Sequence, residues 1–269
     1  MLKKRIATAA VLACLLWVTL FWLPSAGAVI AFGFVFVLAA WEWAGFGALV
    51  GAARVVFAAG IALLLLLAWF WTREPLNLLI LSGLACVWWA VAFFWLALAP
   101  VQHRPVLVLA CAMPVLVPAF AALARLQEAT QGPAHGPEAV LWLLLLVFGA
   151  DIGAFFVGRS FGRLKLAPRV SPSKTWEGAI GGLSVVAAVA WVGCVRFQLP
   201  MVAGVAFGCA VGIYSIIGDL TESMFKRAAG LKDSGALLPG HGGVLDRIDS
   251  VTAAAPLYAL GLFHSGVLA

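Results

Sequence analysis

The stretch Val55-Val-Phe-Ala-Ala-Gly-Ile-Ala-Leu-Leu-Leu-Leu-Leu-Ala-Trp-Phe-Trp71 decides the fold class, because it contains no charged side chain. As an α-helix it is long enough to cross the hydrocarbon core of a bilayer, for which about 17–25 residues suffice. The whole chain of 269 residues has this character, with 64% hydrophobic residues, 10% charged residues and a mean hydropathy of +1.09. A soluble domain carries roughly 25% charged residues. The composition therefore excludes a soluble fold, a disordered chain and a disulfide scaffold, and predicts an integral membrane protein.

Eight further stretches resemble the first one. We find no long alternation of apolar and polar residues, so the spans should be helices and not strands of a barrel. The sequence thus predicts an all-α polytopic integral membrane protein with about nine transmembrane helices. The predicted spans are roughly 6–23, 26–45, 55–71, 76–98, 105–124, 139–158, 178–198, 201–222 and 250–268.

The distribution of Lys and Arg predicts the orientation. With the N-terminus in the cytoplasm, 14 of the 17 basic residues lie inside and only Arg73, Arg125 and Arg196 lie outside. Such a bias is what the positive-inside rule predicts. The net charge of +6 is therefore interpreted as a topology signal, with no nucleic-acid partner implied. A cleaved signal peptide ending near Ala26-Gly27-Ala28 is the alternative for the first helix, although its apolar run is longer than usual.

Charged residues concentrate in the second half of the chain. Residues 151–250 hold 17 of the charged side chains, whereas the chain before them is almost entirely apolar. We therefore divide one membrane domain into an N-terminal helical scaffold, 1–138, and a C-terminal half carrying the catalytic site, 139–269. Three acids lie inside spans, Glu42, Asp151 and Asp219, and a carboxylate in the bilayer is costly unless it is paired or hydrated. Each is therefore a functional candidate, and all three lie toward the predicted cytoplasmic side.

The last two helices and their connection carry a polar motif. Asp219, Glu222 or Ser223, and Lys226 fall on one helical face by their spacing. In Pro239-Gly-His-Gly-Gly-Val-Leu-Asp-Arg-Ile-Asp249, the glycines permit positive φ and can turn N–H groups toward an anion. Asp246 and Asp249 follow at i, i+3, and carboxylates are good Mg²⁺ ligands. Acids, Lys/Arg and Gly-rich turns together suit a metal-bound polyphosphate.

A second polar loop runs from Gly158 to Gly178. It carries five cations and four hydroxyl side chains, and Ser171, Ser173 and Thr175 precede Glu177 in a pattern that caps a helix. The N-terminus of that helix would add a positive dipole, which also favours phosphate. Gly178, Gly181 and Gly182 predict close helix packing, and Trp17, Trp22, Trp41 and Trp43 predict an interfacial belt.

These motifs resemble those of the phosphatidate cytidylyltransferases, the bacterial CDP-diacylglycerol synthases. The run Ser223-Met-Phe-Lys-Arg-Ala-Ala-Gly-Leu-Lys-Asp-Ser-Gly-Ala-Leu-Leu-Pro-Gly-His-Gly-Gly-Val-Leu-Asp-Arg-Ile-Asp249 is similar to the family signature. Lys165-Leu-Ala-Pro-Arg-Val-Ser-Pro-Ser-Lys-Thr-Trp-Glu-Gly178, preceded by Asp151-Ile-Gly-Ala, also resembles the family, as do the first residues and Glu42-Trp43. The resemblance is strong over about 150–250 and loose before that.

The resemblance implies transfer of CMP from CTP to phosphatidate, which yields CDP-diacylglycerol and pyrophosphate. It also implies Mg²⁺, a polar cavity open to the cytoplasm, a homodimer among membrane lipids, and the bacterial inner membrane as location. It leaves open whether a monovalent cation takes part. In the family, the acids that match Asp219 and Asp246 are linked to metal binding.

The expected site residues follow from the motifs and the resemblance together. The expected catalytic residues are Asp219, Lys226, Asp246 and Arg247, and the expected metal ligands are Asp219, Asp246 and Asp249. The expected substrate-binding residues are Asp151, Lys165, Ser171, Ser173, Lys174, Ser223, Arg227, Lys232, His241, Gly242 and Gly243. The competing interpretation makes the acids partners in ion pairs with Lys226 or Arg247, and makes the cytoplasmic cations topology anchors.

Other functions compete with this one. A CDP-alcohol phosphotransferase should show D-G-x-x-A-R…G-x-x-x-D-x-x-x-D, and no such run occurs. A transporter for a phosphorylated solute would suit intramembrane acids, but transporters often show repeated halves with broken helices at the midplane. A structural scaffold would leave the intramembrane acids unexplained.

Overall fold

The computed structural model describes residues 2–98, 104–130, 135–238, 240 and 242–265, with side chains from Ala7 onward. Nine α-helices are found within these ranges, so the all-α prediction is confirmed. They are α1 (Leu2–Phe21), α2 (Ser25–Phe46), α3 (Gly51–Trp71), α4 (Pro75–Leu98), α5 (Pro105–Glu128), α6 (Gly136–Phe161), α7 (Trp176–Phe197), α8 (Met201–Ala228) and α9 (Leu245–His264).

Seven of the helices in the described residues, α2 to α8, are long and apolar enough to cross a membrane. The protein is therefore a multi-pass membrane protein. The apolar part of α1 is shorter, Ala7–Phe21, and α9 begins with Asp246, Arg247 and Asp249 in its first turns. The predicted count of nine crossings, like the cytoplasmic N-terminus, stays a prediction.

The helices are longer than the predicted spans where the chain is polar. Helix α8 continues to Ala228 and so carries Lys226 and Arg227 on its last turn. Between α6 and α7 the predicted polar loop forms a small antiparallel hairpin, β1 (Lys165–Ala167) and β2 (Ser171–Thr175). The sequence did not predict this hairpin. We call the end of the bundle that carries it the hairpin end.

Helix α5 lies at the centre of the bundle. It packs against α2, α3, α4, α6 and α9. Most of its side chains are buried, and these are small or apolar, among them Ala112, Leu116, Ala119 and Ala122. The core is consequently continuous across 1–138 and 139–269. One tryptophan predicted for the interface belongs to this core: Trp43 is buried and donates a hydrogen bond to the Val108 carbonyl at 2.8 Å, whereas Trp17 and Trp22 are exposed.

The three arginines predicted for the outside lie at or just beyond the C-terminal ends of α3, α5 and α7. Arg196 pairs with Glu138 at 2.8 Å, and Arg125 pairs with Glu128. Glu128 also accepts a hydrogen bond from Trp69 Nε1 at 3.0 Å. Glu128 and Glu138 thus give Arg125 and Arg196 local partners at the end of the bundle opposite the hairpin.

Helices α6 and α7 approach closely at glycines, as the sequence predicts. A Cβ at position 182 would lie 2.5 Å from the Ala150 carbonyl oxygen, and one at position 178 would lie 2.9 Å from that of Ala154. The two backbones are thus in direct contact, and this contact holds the start of α7, with the hairpin, against α6.

Gly182→Ala is expected to lower the free energy of unfolding by about 1–3 kcal/mol, since the added methyl group forces the two backbones apart. Gly60→Ala is the matched control, because a Cβ at that helical position meets no atom within 4 Å. Thermal melting in detergent compares the two variants with the parent. Equal melting temperatures for all three proteins would contradict the close contact.

Candidate active site

The polar residues of the hairpin end come from four parts of the chain. Helix α8 supplies Asp219, Glu222 and Lys226, and the first turns of α9 supply Asp246 and Asp249. Strand β2 supplies Lys174, and α2 supplies Glu42 from the first half of the chain. The site therefore depends on the packing of the bundle and not on one segment.

Asp246 is held by three hydrogen-bond donors. Its Oδ1 accepts from Lys226 Nζ at 2.6 Å, and its Oδ2 accepts from the Ser234 amide at 3.0 Å and the Gly243 amide at 2.8 Å. The sequence predicted that the glycine loop would turn N–H groups toward an anion. In this structure the anion that receives the Gly243 N–H group is the carboxylate of Asp246.

The loop before α9 has the backbone that its glycines predict. Gly240 and Gly242 have φ values of 76° and 81°, in the region that favours glycine. Leu238 donates its amide hydrogen to the Gly242 carbonyl at 3.0 Å, which closes the turn. His241 lies outside the described residues, so its expected role in substrate binding stays a prediction.

Lys226 is the buried cation of the site. Its side chain is 10% exposed and lies between two carboxylates, 2.6 Å from Asp246 Oδ1 and 3.2 Å from Glu222 Oε1. The competing interpretation, in which Asp246 is an ion-pair partner of Lys226, thus describes the geometry seen here. It does not conflict with a role in the reaction, because the ammonium group has three N–H donors and only two carboxylate partners.

Asp219 is half-buried and paired with the hairpin. Lys174 of β2 forms an ion pair with Asp219 Oδ2, and Ser223 Oγ donates to Oδ1 at 3.4 Å. The i, i+4 spacing of Asp219 and Ser223 on α8 brings about this second contact. Lys174 therefore links the hairpin to the carboxylate that the motif marked.

Further carboxylates lie around Asp219. Asp151 and Asp249 both interact electrostatically with it, and Glu222 interacts with Asp249. We call Asp219, Glu222 and Asp249 the carboxylate cluster, with Asp151 at its edge. Lys174 and Arg247 face Asp151. Asp151 of α6 is thus brought to the same site as the motif on α8 and α9.

A small cavity of about 10 Å³ lies beside the cluster, close to the space that one water molecule needs. Glu222 and Asp249 line it together with Thr221, Trp43 and Trp89. Both carboxylate oxygens of Glu222 are buried. Its Oε1 lies 3.2 Å from Lys226 Nζ, and its charge interacts with that of Asp249, so this acid belongs to the charge network at the centre of the site.

Whether these residues fit a hard cation depends on their free oxygen atoms. Among the described residues no group of three or more His, Cys, Asp and Glu side chains is arranged to enclose a metal ion. Glu222 and Asp249 are two adjacent carboxylates with acceptor capacity, and Asp219 lies near them. Both oxygens of Asp246 and both oxygens of Asp219 already have donors, so either aspartate would hold a metal ion only by giving up one of them. The carboxylates of α8 and α9 fit Mg²⁺ by ligand type, since Mg²⁺ prefers oxygen ligands.

The remaining predicted substrate contacts surround this centre. Arg227 donates to the Val170 carbonyl at 3.3 Å and to the Leu231 carbonyl at 3.2 Å, so it fastens the hairpin to the end of α8. Exposed side chains at this end are Lys165, Ser173, Lys232 and Arg247, and Ser171 and Gly242 are half-buried. The structure brings these residues to one end of the bundle, and their contacts with substrate stay predictions.

The start of α7 is capped as predicted. Thr175 Oγ1 accepts a hydrogen bond from the Gly178 amide at 3.1 Å. The Glu177 carboxylate accepts from the Leu164 amide at 3.1 Å, which ties the hairpin to the helix that follows it. The hairpin is therefore anchored at both ends, by this contact and by Arg227.

Two buried acids at the site, Glu222 and Glu42, are not among the expected site residues. The sequence places Glu222 on one helical face with Asp219 and Lys226, and its position one turn inside the charged end of α8 is the signal for its burial. Glu42 is 1% exposed and accepts hydrogen bonds from Ser234 Oγ and the Leu245 amide, both at 2.9 Å. Its position within an apolar span was the available signal.

The arrangement suits chemistry on phosphates. Cations from the hairpin, α8 and α9 surround a group of carboxylates at one end of an otherwise apolar bundle. Cations offset the charge of a polyphosphate and of a leaving pyrophosphate, and carboxylates can hold a metal ion between them.

Comparison with known proteins agrees with this chemistry. A family model described as the cytidylyltransferase family matches residues 3–264. A phosphatidate cytidylyltransferase of Haemophilus influenzae is 36% identical over 288 residues, covering 98% of this chain and 99% of the relative. A protein of the same name from Pseudomonas aeruginosa is 42% identical over 281 residues, covering 99% and 98%. One from Brucella suis is 48% identical over 126 residues, 46% of this chain and 47% of the relative.

Proposed function

Since this chain belongs to the cytidylyltransferase family and is a nucleotidyltransferase, we propose that it transfers CMP from CTP to phosphatidate, forming CDP-diacylglycerol and pyrophosphate. The observation that carries the proposal is the set of lysines paired with carboxylates at the hairpin end, Lys174 with Asp219 and Lys226 with Glu222 and Asp246. Two near-full-length relatives that bear the name phosphatidate cytidylyltransferase support the choice of substrates.

In the proposed reaction an oxygen of the lipid phosphate attacks the α-phosphorus of CTP. A new P–O bond forms, the bond from the α-phosphorus to the bridging oxygen breaks, and pyrophosphate leaves. The second pKa of a phosphate monoester is about 6, so the lipid phosphate is largely ionised at neutral pH. No strong general base is needed, and the main barrier is repulsion between two anions.

In the proposal, lysine and arginine side chains of the chain offset the repulsion between the two anions. Lys226 is held near the centre by Asp246 and Glu222, and Lys174 lies on β2 beside Asp219. Arg247 and Lys232 are exposed at the same end. Placed groups of this kind stabilise charge that develops on a departing phosphate, because they need little rearrangement when it forms.

Mg²⁺ is part of the proposal. Asp219, Asp246 and Asp249 would hold it with Glu222 beside them, and Asp219 and Asp246 would each give up one of their present donors. A bound Mg²⁺ would neutralise charge on the triphosphate and on the leaving pyrophosphate. Whether a monovalent cation also takes part stays open.

The orientation and assembly also remain proposals. We place the hairpin end toward the cytoplasm of a bacterial inner membrane, since most Lys and Arg residues then lie inside. A homodimer is proposed from the family resemblance alone.

The position of the transferred phosphorus tests the proposed reaction. With purified protein in detergent, phosphatidate and Mg²⁺, label from [α-³²P]CTP should enter the chloroform phase, and label from [γ-³²P]CTP should stay in water as pyrophosphate. Chelation of Mg²⁺ with EDTA should stop the transfer, and added Mg²⁺ should restore it. Entry of the γ label into lipid would contradict the proposed bond cleavage, and full transfer in EDTA would contradict the role of Mg²⁺.

A further inference from the structure

Glu42, a functional candidate because it is an acid inside an apolar span, lies outside the half of the chain that carries the polar motifs. It is near the end of α2, in the first half of the chain, and its side chain is 1% exposed within the bundle. One of its oxygens, Oε1, is buried and accepts no hydrogen bond. Burying a carboxylate with an unpartnered oxygen is costly, and an apolar side chain would stabilise the bundle at least as well. Packing alone therefore does not explain why an acid occupies this position.

The other carboxylate oxygen joins α2 to the loop before α9. Oε2 accepts from Ser234 Oγ at 2.9 Å and from the Leu245 amide at 2.9 Å. The Leu245 N–H group lies in the first turn of α9, where backbone amides lack partners within the helix and carry partial positive charge. Glu42 thus caps α9 from another helix, at a separation of 203 residues along the chain.

Two glycines of the loop make room for this carboxylate. A Cβ at Gly235 would collide with Glu42 Oε1, and a Cβ at Gly243 would collide with Glu42 Oε2 and Ser234 Oγ. The loop therefore closes tightly around the acid, and the backbone of Gly243 is fixed by the same contact. Gly243 is also a donor to Asp246.

Ser234 connects Glu42 to Asp246. Its hydroxyl donates to Glu42 and accepts from the Asp246 amide at 3.3 Å, while its own amide donates to Asp246 Oδ2 at 3.0 Å. Two of the three donors that orient the Asp246 carboxylate, Ser234 and Gly243, are thus held by Glu42. Because Asp246 is held in one orientation, the ammonium group of the third donor, Lys226, is also held in one position.

We propose that Glu42 is a positioning residue for the reaction, which acts through Ser234 and the start of α9 to fix Asp246 and Lys226. Nothing in the geometry brings Glu42 itself to the substrates. The inference rests on the proposed function, because its consequence is measured as CMP transfer.

Glu42→Leu tests the inference. The apolar side chain keeps the packing but removes both acceptors. The variant should fold but melt a few degrees below the parent, because the Ser234 hydroxyl and the Leu245 amide lose their acceptor, while kcat falls by about 100-fold, the loss typical of a displacement of about 1 Å. The KM for CTP should change by less than about threefold, because the lost contact does not bind substrate. Glu42→Gln keeps an acceptor oxygen and should restore kcat to within about tenfold of the parent.

Coupling to Ser234 distinguishes positioning from a general effect on the bundle. Ser234→Ala should lower kcat by about 10–100-fold, and Glu42→Leu/Ser234→Ala should be no slower than the slower single variant. Glu138→Gln is the matched control, since it weakens an acid–cation pair at the opposite end of the bundle and should leave kcat unchanged. Should Glu42→Leu fail to fold, Glu42→Gln and Ser234→Ala with their double variant carry the same comparison.

The inference is overturned if Glu42→Leu, or Ser234→Ala, is folded and has the kcat of the parent, or if the two losses multiply in the double variant. These results are distinct from failure of the proposed function. If the proposed function fails, the parent protein itself transfers no label, whereas failure of the inference alone leaves the parent active.

Discussion

Asp246→Asn is expected to lower CMP transfer by about 10³-fold, while the protein still folds. The substitution replaces a carboxylate that accepts from Lys226, Ser234 and Gly243 with an amide that has one acceptor oxygen. Its NH₂ group must then face a donor, so the loop or Lys226 moves. Losses of about 10²–10³-fold accompany the removal of one aligned electrostatic contact or a displacement of about 1 Å, and both occur here.

Initial rates of label transfer from [α-³²P]CTP at saturating phosphatidate measure the effect of Asp246→Asn. Glu74→Gln serves as the control, because it removes an exposed carboxylate between α3 and α4, and it should retain the parent rate. A folded Asp246→Asn protein with a rate within about threefold of the parent would show that the oriented carboxylate has no part in the reaction.

Lys226→Met is expected to destabilise the protein by about 3–5 kcal/mol, the cost of removing one partner from a buried ion pair. Asp246 and Glu222 then keep their charge without the ammonium group that lies 2.6 Å and 3.2 Å from them. Thermal melting in detergent should show a clear fall in melting temperature. Lys232→Met, in which an exposed lysine is changed, should melt like the parent.

A second substitution tests the electrostatic cause of this loss. Lys226→Met/Glu222→Gln should regain part of the lost stability, because Glu222 no longer adds an unpaired buried charge. If Lys226→Met costs less than about 1 kcal/mol, or if the double variant is less stable than the single one, the buried charges are not balanced in the way described.

The helices were predictable because their cause is local. Any stretch such as residues 55–71 must satisfy its backbone hydrogen bonds within the bilayer, and a helix does this without help from the rest of the chain. The ends were less predictable, since Lys226 and Arg227 extend α8 beyond its apolar part through contacts that other elements provide.

The hairpin could not be predicted in the same way. Strands β1 and β2 have three and five residues, and their sequence has no clear alternation of apolar and polar side chains. Their stability comes from contacts with Arg227 and Glu177, which lie outside the strands. Such tertiary contacts override local propensity in short strands.

The site was predicted in part for a related reason. Regular helical spacing predicted that Asp219 and Lys226 share one face of α8 and that Asp246 and Asp249 share one face at the start of α9. The contacts of Glu42 with Ser234 and of Lys174 with Asp219 span 192 and 45 residues, and no pattern within one segment encodes them. An acid inside an apolar span marks such a residue as a candidate, but its partner follows only from the packing of the bundle.

Formation of CDP-diacylglycerol by this protein is tested most directly by transfer of label from [α-³²P]CTP into a chloroform-soluble product, with purified parent protein in detergent and with phosphatidate and Mg²⁺ omitted in turn. We expect a labelled product that co-migrates with CDP-diacylglycerol and forms only when both are present. A folded preparation that yields no such product, across several phosphatidates and detergents, would contradict the proposed function.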